Sequence, residues 1–395
     1  MPWRTTGPMD ERTQFIAAWL AHEESMSELC QRFGISRKTG YKVVGRYAAD
    51  GPVSLRERSH ATHRQPHAIA EAVQQAILEL RGTRPYWGPR KLRVWLTRRR
   101  PEHSWPAAST IGALLQRHGL TRPRRRRLRA APSRVGPPAT GPNEVWAADF
   151  KGWFRTGDQQ RCDPLTISDI YSRYLLRCHV VAALSDAAVR PVFEATFREY
   201  GLPRAIRTDN GPPFASLAAG GLSRLAVWWI RLGIWPERIA PAHPEQNGRH
   251  ERLHRTLKQE TTQPPQATGP DQQRAFDRFQ TIYNHERPHE ALGQQPPAAW
   301  YHPSRRAYPD HLPAVEYAAR CLVRRTHPNG EIKWLGRRTF ISQALAGELL
   351  GLEEIADGCW RVNFGPVELG WLDARRPQRL QPLDTAPTLS PISPV

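Results

Sequence analysis

Apolar positions in the first third of the chain recur at helical spacing. Phe15, Ile16, Trp19 and Leu20 fall on one face, so residues 10 to 48 read as helices. Within them, Ser27 to Phe33 forms a short amphipathic run, Gly34-Ile35-Ser36 a tight turn, and Arg37 to Val44 a second helix started by Ser36. Helix, turn and second helix is the order of a helix-turn-helix; the alternative is a three-helix bundle with a solvated basic face. The theme returns in Ile69 to Leu80, Lys91 to Leu96 and Ala107 to Leu120, the last with Ile111, Leu114 and Leu115 at helical spacing. This predicts a second helical, winged-helix-like unit.

The period changes at Asn143. Val145 to Phe154 and Pro164 to Val181 are strand-like runs, the second folding back near Ser172-Arg173. Ser185 caps a predicted helix with Val189, Val192, Phe193 and Phe197 on one face, and Ala205 to Thr208 reads as a short strand. A helix over Leu222 to Leu232 and an amphipathic helix from Asn247 follow. That order predicts a mixed-sheet α/β domain. Beyond residue 315, short strands resume: Arg338 to Ile341, Trp360 to Phe364 and Val367 to Leu372, with a hairpin signal at His327-Pro328-Asn329-Gly330. A small β-barrel is expected there.

The 37 prolines gather between these patterns and set the boundaries. Residues 1–60 are expected to form the helix-turn-helix domain and 61–121 the second helical domain. A basic linker is expected over 122–142, the α/β core over 143–302, the barrel over 315–380 and a disordered tail over 381–395. The formal net charge is +20, with a sequence pI near 10.5, which favours polyanionic partners, nucleic acid above all. Arg37, Lys38 and Lys42, at the start of the second helix of the turn motif, would then face a DNA groove. Six arginines occupy the eight positions from Arg122 to Arg129. Charge this dense cannot enter a core, so Arg124, Arg125, Arg126 and Arg127 belong to a tether that can also neutralise phosphates. No apolar run reaches the length of a membrane span, so a cytoplasmic, nucleoid-associated protein is expected. The five scattered cysteines lack the spacing of a disulfide scaffold or a zinc finger.

Three acids stand out. Asp149 interrupts a strand, Trp146-Ala147-Ala148-Asp149-Phe150-Lys151, where a carboxylate is costly unless paired or bound to a metal. Asp209 follows the strand Ala205 to Thr208 and projects from its carboxyl end. Glu251 lies one turn into the helix entered through His243 to Gly248. Hard oxygen donors from separate elements are what Mg²⁺ or Mn²⁺ takes. Each acid alone also has a plain structural reading, as a strand-end cap, an Asx turn or a solvated helix position.

The stretches Trp146 to Lys151, Arg207 to Gly211, His243 to Lys258 and Tyr283 to Leu292 resemble the integrase-type core of bacterial insertion-sequence transposases, relatives of retroviral integrases. The closest likeness is to the IS four-eighty-one group, and it covers nearly the whole chain. The resemblance implies a multidomain architecture: all-α helix-turn-helix units, a ribonuclease-H-like core and a C-terminal β domain. It also implies an Asp-Asp-Glu triad of Asp149, Asp209 and Glu251. In many relatives about 35 residues separate the last two acids; here 41 do, whereas the rival Glu245 would leave 35. Pro244 and Gly248 suit the approach to a helix, which puts Glu245 in a loop and favours Glu251. Arg255 and Lys258, four and seven residues on, share a face with Glu251 and would lie along phosphate backbone. Asn210 and Asn247 would contact phosphates or position the ligand loops. His250 and His254 suit packing or phosphate contact better than metal ligation.

The implied activity is two-metal, Mg²⁺- or Mn²⁺-dependent cleavage at the element's 3′ ends followed by strand transfer into target DNA. The implied partners are double-stranded DNA and further copies of the chain. Two other classes stay open: an inactive DNA-binding regulator derived from such an enzyme, and a ribonuclease-H-like nuclease without strand transfer.

Overall fold

The computed structural model describes residues 7–56, 69–121, 139–216, 218–239, 248–376 and 378–383. The chain divides into two compact units, Met1–Ile69 and Ala70–Val395.

In the first unit, α1 (Pro8–Leu20), α2 (Met26–Arg32) and α3 (Arg37–Asp50) close over Phe15, Ile16, Leu29, Cys30 and Leu55. Ser25 and Ser36 cap α2 and α3 with their hydroxyls, so each helix starts where its serine stands. Helices α2 and α3 touch at Gly40, where a Cβ would sit 2.5 Å from Cys30 Sγ; only glycine fits.

The second unit begins with α4 (Glu71–Thr83), α5 (Pro89–Arg99) and α6 (Ala108–Arg117), which bury Ile77, Trp87, Leu92, Leu96, Ile111, Leu114 and Leu115. Among the described residues from 69 to 121 there is no strand, so the winged variant has no wing there. This bundle is seated on the segment after α10 (Gly269–Thr281): Ile282 packs against its core, Arg84 pairs with Glu286 at 2.8 Å and Arg90 with Glu290 at 3.5 Å.

The central sheet comprises β1 (Val145–Phe150), β2 (Phe154–Arg155), β3 (Arg161–Asp169), β4 (Leu175–Val181), β5 (Ala205–Thr208) and β6 (Trp235–Arg238). Its order is β2-β3-β1-β5-β6, with β4 also on β3. Strand β1 runs antiparallel to β3 and parallel to β5, and β5 parallel to β6, the mixed sheet expected from the element order. One face carries α7 (Asp186–Tyr200) and α8 (Arg224–Arg231) over Trp146, Leu165, Ile167 and Ile206. The other carries α9 (Gly248–Thr261) and α10, through Leu253, Leu257, Phe276 and Phe279 against Cys162, Leu175 and Cys178. All five cysteines are unpaired.

The C-terminal strands are β7 (Leu322–Arg325), β8 (Glu331–Trp334), β9 (Arg337–Phe340), β10 (Leu349–Ala356), β11 (Cys359–Phe364) and β12 (Val367–Asp373). The expected closed barrel is not what they form. They make an open four-stranded sheet, β12-β11-β10-β7, and a separate β8-β9 ribbon. The turn at His327 to Gly330 exists, but β7 pairs with β10 and β8 with β9, and among the described residues only single bridges, Phe340 with Arg379 and Trp371 with Gln381, link β9 toward β12, so no continuous ladder closes the circle. The apolar side of this layer is shared between the ribbon and α8 of the core: Ile332 and Trp334 on one part, and Ala226, Val227 and Ile230 on the other, join Leu350, Leu352, Val362 and Phe364 in one cluster. A helix buried on both sides explains why six consecutive residues of α8, Leu225 to Ile230, are inaccessible. Among the described residues no helix is long and apolar enough to cross a membrane.

Candidate active site

The β1–β5 register pairs Val145 with Ala205, Trp146 with Ile206 and Ala147 with Arg207. Carried two residues further, it sets Asp149 level with Asp209 at the carboxyl ends of adjacent parallel strands, where ligands of open α/β sheets bind. Alternation decides the face. Trp146, Ala148 and Phe150 point into the α7–α8 core, so Asp149 points the other way, toward α9. Ile206 belongs to the same α7–α8 core, and the same alternation turns Asp209 toward α9.

The loop after β5 is built around Asp209. The Gly211 N–H donates to its Oδ1 at 3.2 Å, and a Cβ at position 211 would lie 3.3 Å from Oδ2, so the glycine keeps this turn tight. Asn210 donates its amide to the Ile239 carbonyl at 2.8 Å and ties the loop to the end of β6. Arg207 pairs with Glu237 at 2.8 Å across the same two strands.

Helix α9 lies on this face through a buried row of His250, Leu253, His254, Leu257 and Thr261. Its exposed flank carries Glu251, Arg255 and Lys258. With about 100° between successive residues, these three share one side of the helix, as their spacing predicts. His250 and His254 both meet one hydroxyl: Thr166 Oγ1 is 2.8 Å from Nε2 of each. The same oxygen donates to the Asp149 carbonyl at 3.1 Å. Burial drives the imidazoles down to about 4 for His250 and about 2 for His254, so both are neutral at physiological pH. They are packing and hydrogen-bonding groups here, the first of the two roles foreseen for them.

Lys151 follows Asp149 by two positions. Burial lowers its pKa first, the nearby Lys258 ammonium lowers it further, and Asp149 opposes both. The carboxylate of β1 thus shares its surroundings with a cation just past the end of β1 and one from α9. Sequence reasoning had no role for Lys151 or Thr166; the strand alternation that placed Asp149 would have placed Lys151 beside it.

Among the described residues no group of three His, Cys, Asp or Glu side chains is placed to hold a metal ion. The β1–β5 register leads Asp149 and Asp209 toward neighbouring strand ends, whereas Glu251 lies on the exposed flank of α9 because His250, Leu253, His254 and Leu257 occupy the inner face. Asn247, the rival Glu245, and Arg124, Arg125, Arg126 and Arg127 lie outside the described residues. In the first unit Arg37, Lys38 and Lys42 are all exposed on α3, together with Tyr41, which is 61% accessible. Asp169 is buried and accepts from the Ser172 N–H and hydroxyl at 2.7 and 2.6 Å and from the Asn143 N–H at 2.8 Å; it closes the β3–β4 turn.

Comparison with known proteins agrees with this architecture. Two integrase core domain models match residues 139–244 and 232–297; a helix-turn-helix domain model matches 11–63 and a homeodomain-like domain model 39–115. The chain is 30% identical over 236 residues to an uncharacterised 39.2 kDa protein of insertion element IS476 from Xanthomonas euvesicatoria, covering 59% of this chain and 65% of that protein's length. It is 27% identical to a 31.7 kDa protein of insertion element IS407 from Burkholderia multivorans, covering 69% of this chain and 93% of that one. Among solved structures, the HTLV-2 integrase catalytic core domain in complex with magnesium aligns with 41% of this chain and 99% of its own, at 16% identity and a TM-score of 0.33. The chain therefore carries helix-turn-helix DNA-binding domains and an integrase-type core, in company with proteins of insertion elements.

Proposed function

We propose that this protein is an insertion-sequence transposase, of the kind found in the IS four-eighty-one group. It would bind the ends of its element, cleave at the 3′ ends and transfer them into target DNA. The observation that carries the reading is the parallel β1–β5 register, Ala147 opposite Arg207, which continued two residues would bring Asp149 and Asp209 together at neighbouring strand ends.

The donors are hard carboxylate oxygens, the chemistry Mg²⁺ or Mn²⁺ takes. Asp149, Asp209 and Glu251 are the residues that would hold such ions. The ions, when bound, supply Lewis acidity and a lowered pKa for an attacking water or 3′-hydroxyl. Glu251 shares its flank of α9 with Lys258, which lies near Lys151, and from there would complete the set when DNA is engaged. Lys151 and Lys258 offer cations to the scissile strand, Arg255 extends the basic flank, and Asn210 keeps the Asp209 loop against β6. Helix α3 brings Arg37, Lys38 and Lys42 to a groove of the element's end. The arginine tether, Arg124 to Arg127, would neutralise phosphates between binding and catalytic domains, and Asn247 would contact backbone at the entry to α9. Joining two DNA ends needs two active sites, so a homo-oligomer on DNA is part of the reading.

Labelled end DNA incubated with the protein, Mn²⁺ and a plasmid tests it. Asp149→Asn, Asp209→Asn and Glu251→Gln should each abolish cleavage and joining and leave end binding within a few-fold. Binding without any cleavage by the unaltered protein would instead indicate a regulator, and cleavage without joining a nuclease. Loss of activity in Glu245→Gln but not in Glu251→Gln would move the third acid to Glu245.

A further inference from the structure

Thr166 stands opposite Asp149 in the β1–β3 ladder, so their side chains share the face covered by α9. Its hydroxyl has one proton and two lone pairs, and three partners lie within reach. One arrangement satisfies all of them. The hydroxyl proton goes to the Asp149 carbonyl, which can only accept. Both imidazoles then donate Nε2–H into the hydroxyl's lone pairs. Thr166 is fully buried, and His250 and His254 are 3% and 9% exposed, so water does not compete for these bonds. The two rings meet edge to face, 4.9 Å apart, and brace each other around the oxygen.

Two of the three hydrogen bonds come from the first turns of α9, on either side of Glu251; the third fixes the peptide carbonyl of Asp149. Leu253 and Leu257 supply area but no direction; the other directional contacts of α9, Glu260 with Arg287 and the Thr261 carbonyl with the Gln272 amide, lie at its far end. A helix held only by such apolar contacts can slide or rotate at small cost, whereas a hydrogen bond sets both depth and angle.

We propose that Thr166 is a positioning residue: with His250 and His254 it pins α9 to the Asp149 peptide and so fixes where Glu251 stands relative to Asp149. The chemical consequence rests on the proposed transposase reading, in which those two carboxylates share metal ions; the pinning itself does not.

The test uses full-length protein carrying Thr166→Val, which keeps the shape and deletes the hydroxyl, and Thr166→Ser, which restores it. Amide hydrogen exchange is followed across α9, with α10 and the C-terminal sheet as internal references. End joining is measured in parallel against Mn²⁺ and against DNA concentration. The expected result is at least tenfold faster exchange over residues 251–258 in Thr166→Val, with the references unchanged. With it should come a ten- to hundredfold fall in the joining rate, a higher Mn²⁺ requirement, an unaltered apparent affinity for DNA, and recovery of most of this in Thr166→Ser. Unchanged exchange over α9 in Thr166→Val overturns the proposal whatever the activity does, and so does unchanged joining with an unchanged Mn²⁺ requirement in a protein that joins ends. Loosening of α9 in Thr166→Val when no variant, the unaltered protein included, joins DNA would leave the pin standing and defeat the transposase reading instead.

Discussion

Asn284 holds both polar groups of the Leu175 peptide: its Oδ1 accepts the Leu175 N–H at 2.8 Å and its amide donates to the Leu175 carbonyl at 2.9 Å. The bond pair continues along the open side of β4. Gln280 donates to the Leu176 carbonyl at 3.0 Å, and Gln273 bridges the Cys178 carbonyl and the Val180 N–H, each at 2.9 Å. Three amides from α10 and its continuation thus do the work of a neighbouring strand and close an edge that would otherwise be free to pair with another chain.

Replacing Asn284 with alanine therefore orphans a buried donor and a buried acceptor at once. At about 1–3 kcal/mol for each group left unsatisfied, the core should lose several degrees or more of melting temperature. Leucine at the same position fills the space but pairs with nothing and should be no better. Thermal melting with light scattering as a second channel checks this; a melting curve unchanged in Asn284→Ala would mean the edge bonds contribute nothing net.

His289 lies against Tyr283, with ring centroids 4.7 Å apart, and its Nε2 has no hydrogen-bond partner among the described residues. Burial, with Lys91, Arg287 and Arg173 nearby, pushes its pKa down to about 3. In the unfolded chain the ring takes a proton near pH 6.5; in the folded chain it resists one until far lower. The stabilisation is therefore complete above pH 6.5 and is lost as pH falls toward 3, by at most about 1.4 kcal/mol per pH unit. Melting temperature should fall more steeply between pH 6.5 and 4.5 for the unaltered protein than for His289→Gln. Parallel pH curves for the two proteins would exclude His289 as the source.

Lys258 is exposed on α9 and electrostatically coupled to Lys151. If it meets a phosphate, Lys258→Ala should flatten the slope of log affinity against log salt by about 0.9, the value of one released counterion. The loss should be similar for specific and nonspecific DNA, since a phosphate contact reads no sequence. A weakened affinity with the original salt slope would place the effect in folding rather than in a phosphate contact.

Much of this was legible in the chain, and the reasons differ by element. Strand alternation and serine caps are local, so β1, β5, α7 and the helix-turn-helix follow from a few neighbouring residues. Asp149 was conspicuous because a carboxylate among Trp146, Ala147, Ala148 and Phe150 conflicts with its surroundings. The Thr166 hub was not visible: it joins residues 84 and 88 positions apart, and a threonine in a strand conflicts with nothing. The barrel expectation failed for a similar reason. Turn spacing says where strands begin and end, but closure depends on which edges pair, and β7 finds β10 across an intervening ribbon. The apolar face that a barrel would have turned inward packs on Ile332 and Trp334 of the ribbon and, in place of further strands, on α8.

That substitution makes a last prediction. Ile230 is 7% exposed and sits in the cluster shared by α8 and the C-terminal sheet, where a Cβ on Gly365 would come within 3.1 Å of its Cγ2. Trp229, its neighbour, faces the other way into the central core. Truncation at the two positions should therefore fail in different places. Ile230→Ala opens a cavity between core and sheet at a cost of about 2–5 kcal/mol, drawn from the attachment of the sheet. Amides of β10 to β12 should lose hydrogen-exchange protection while those of β1 and β3 keep theirs. Trp229→Ala should reverse the pattern, loosening β1 and β3 first. If Ile230→Ala loosens both regions equally, the core and the C-terminal sheet fold as one cooperative block, and α8 is its shared centre instead of a seam between two layers.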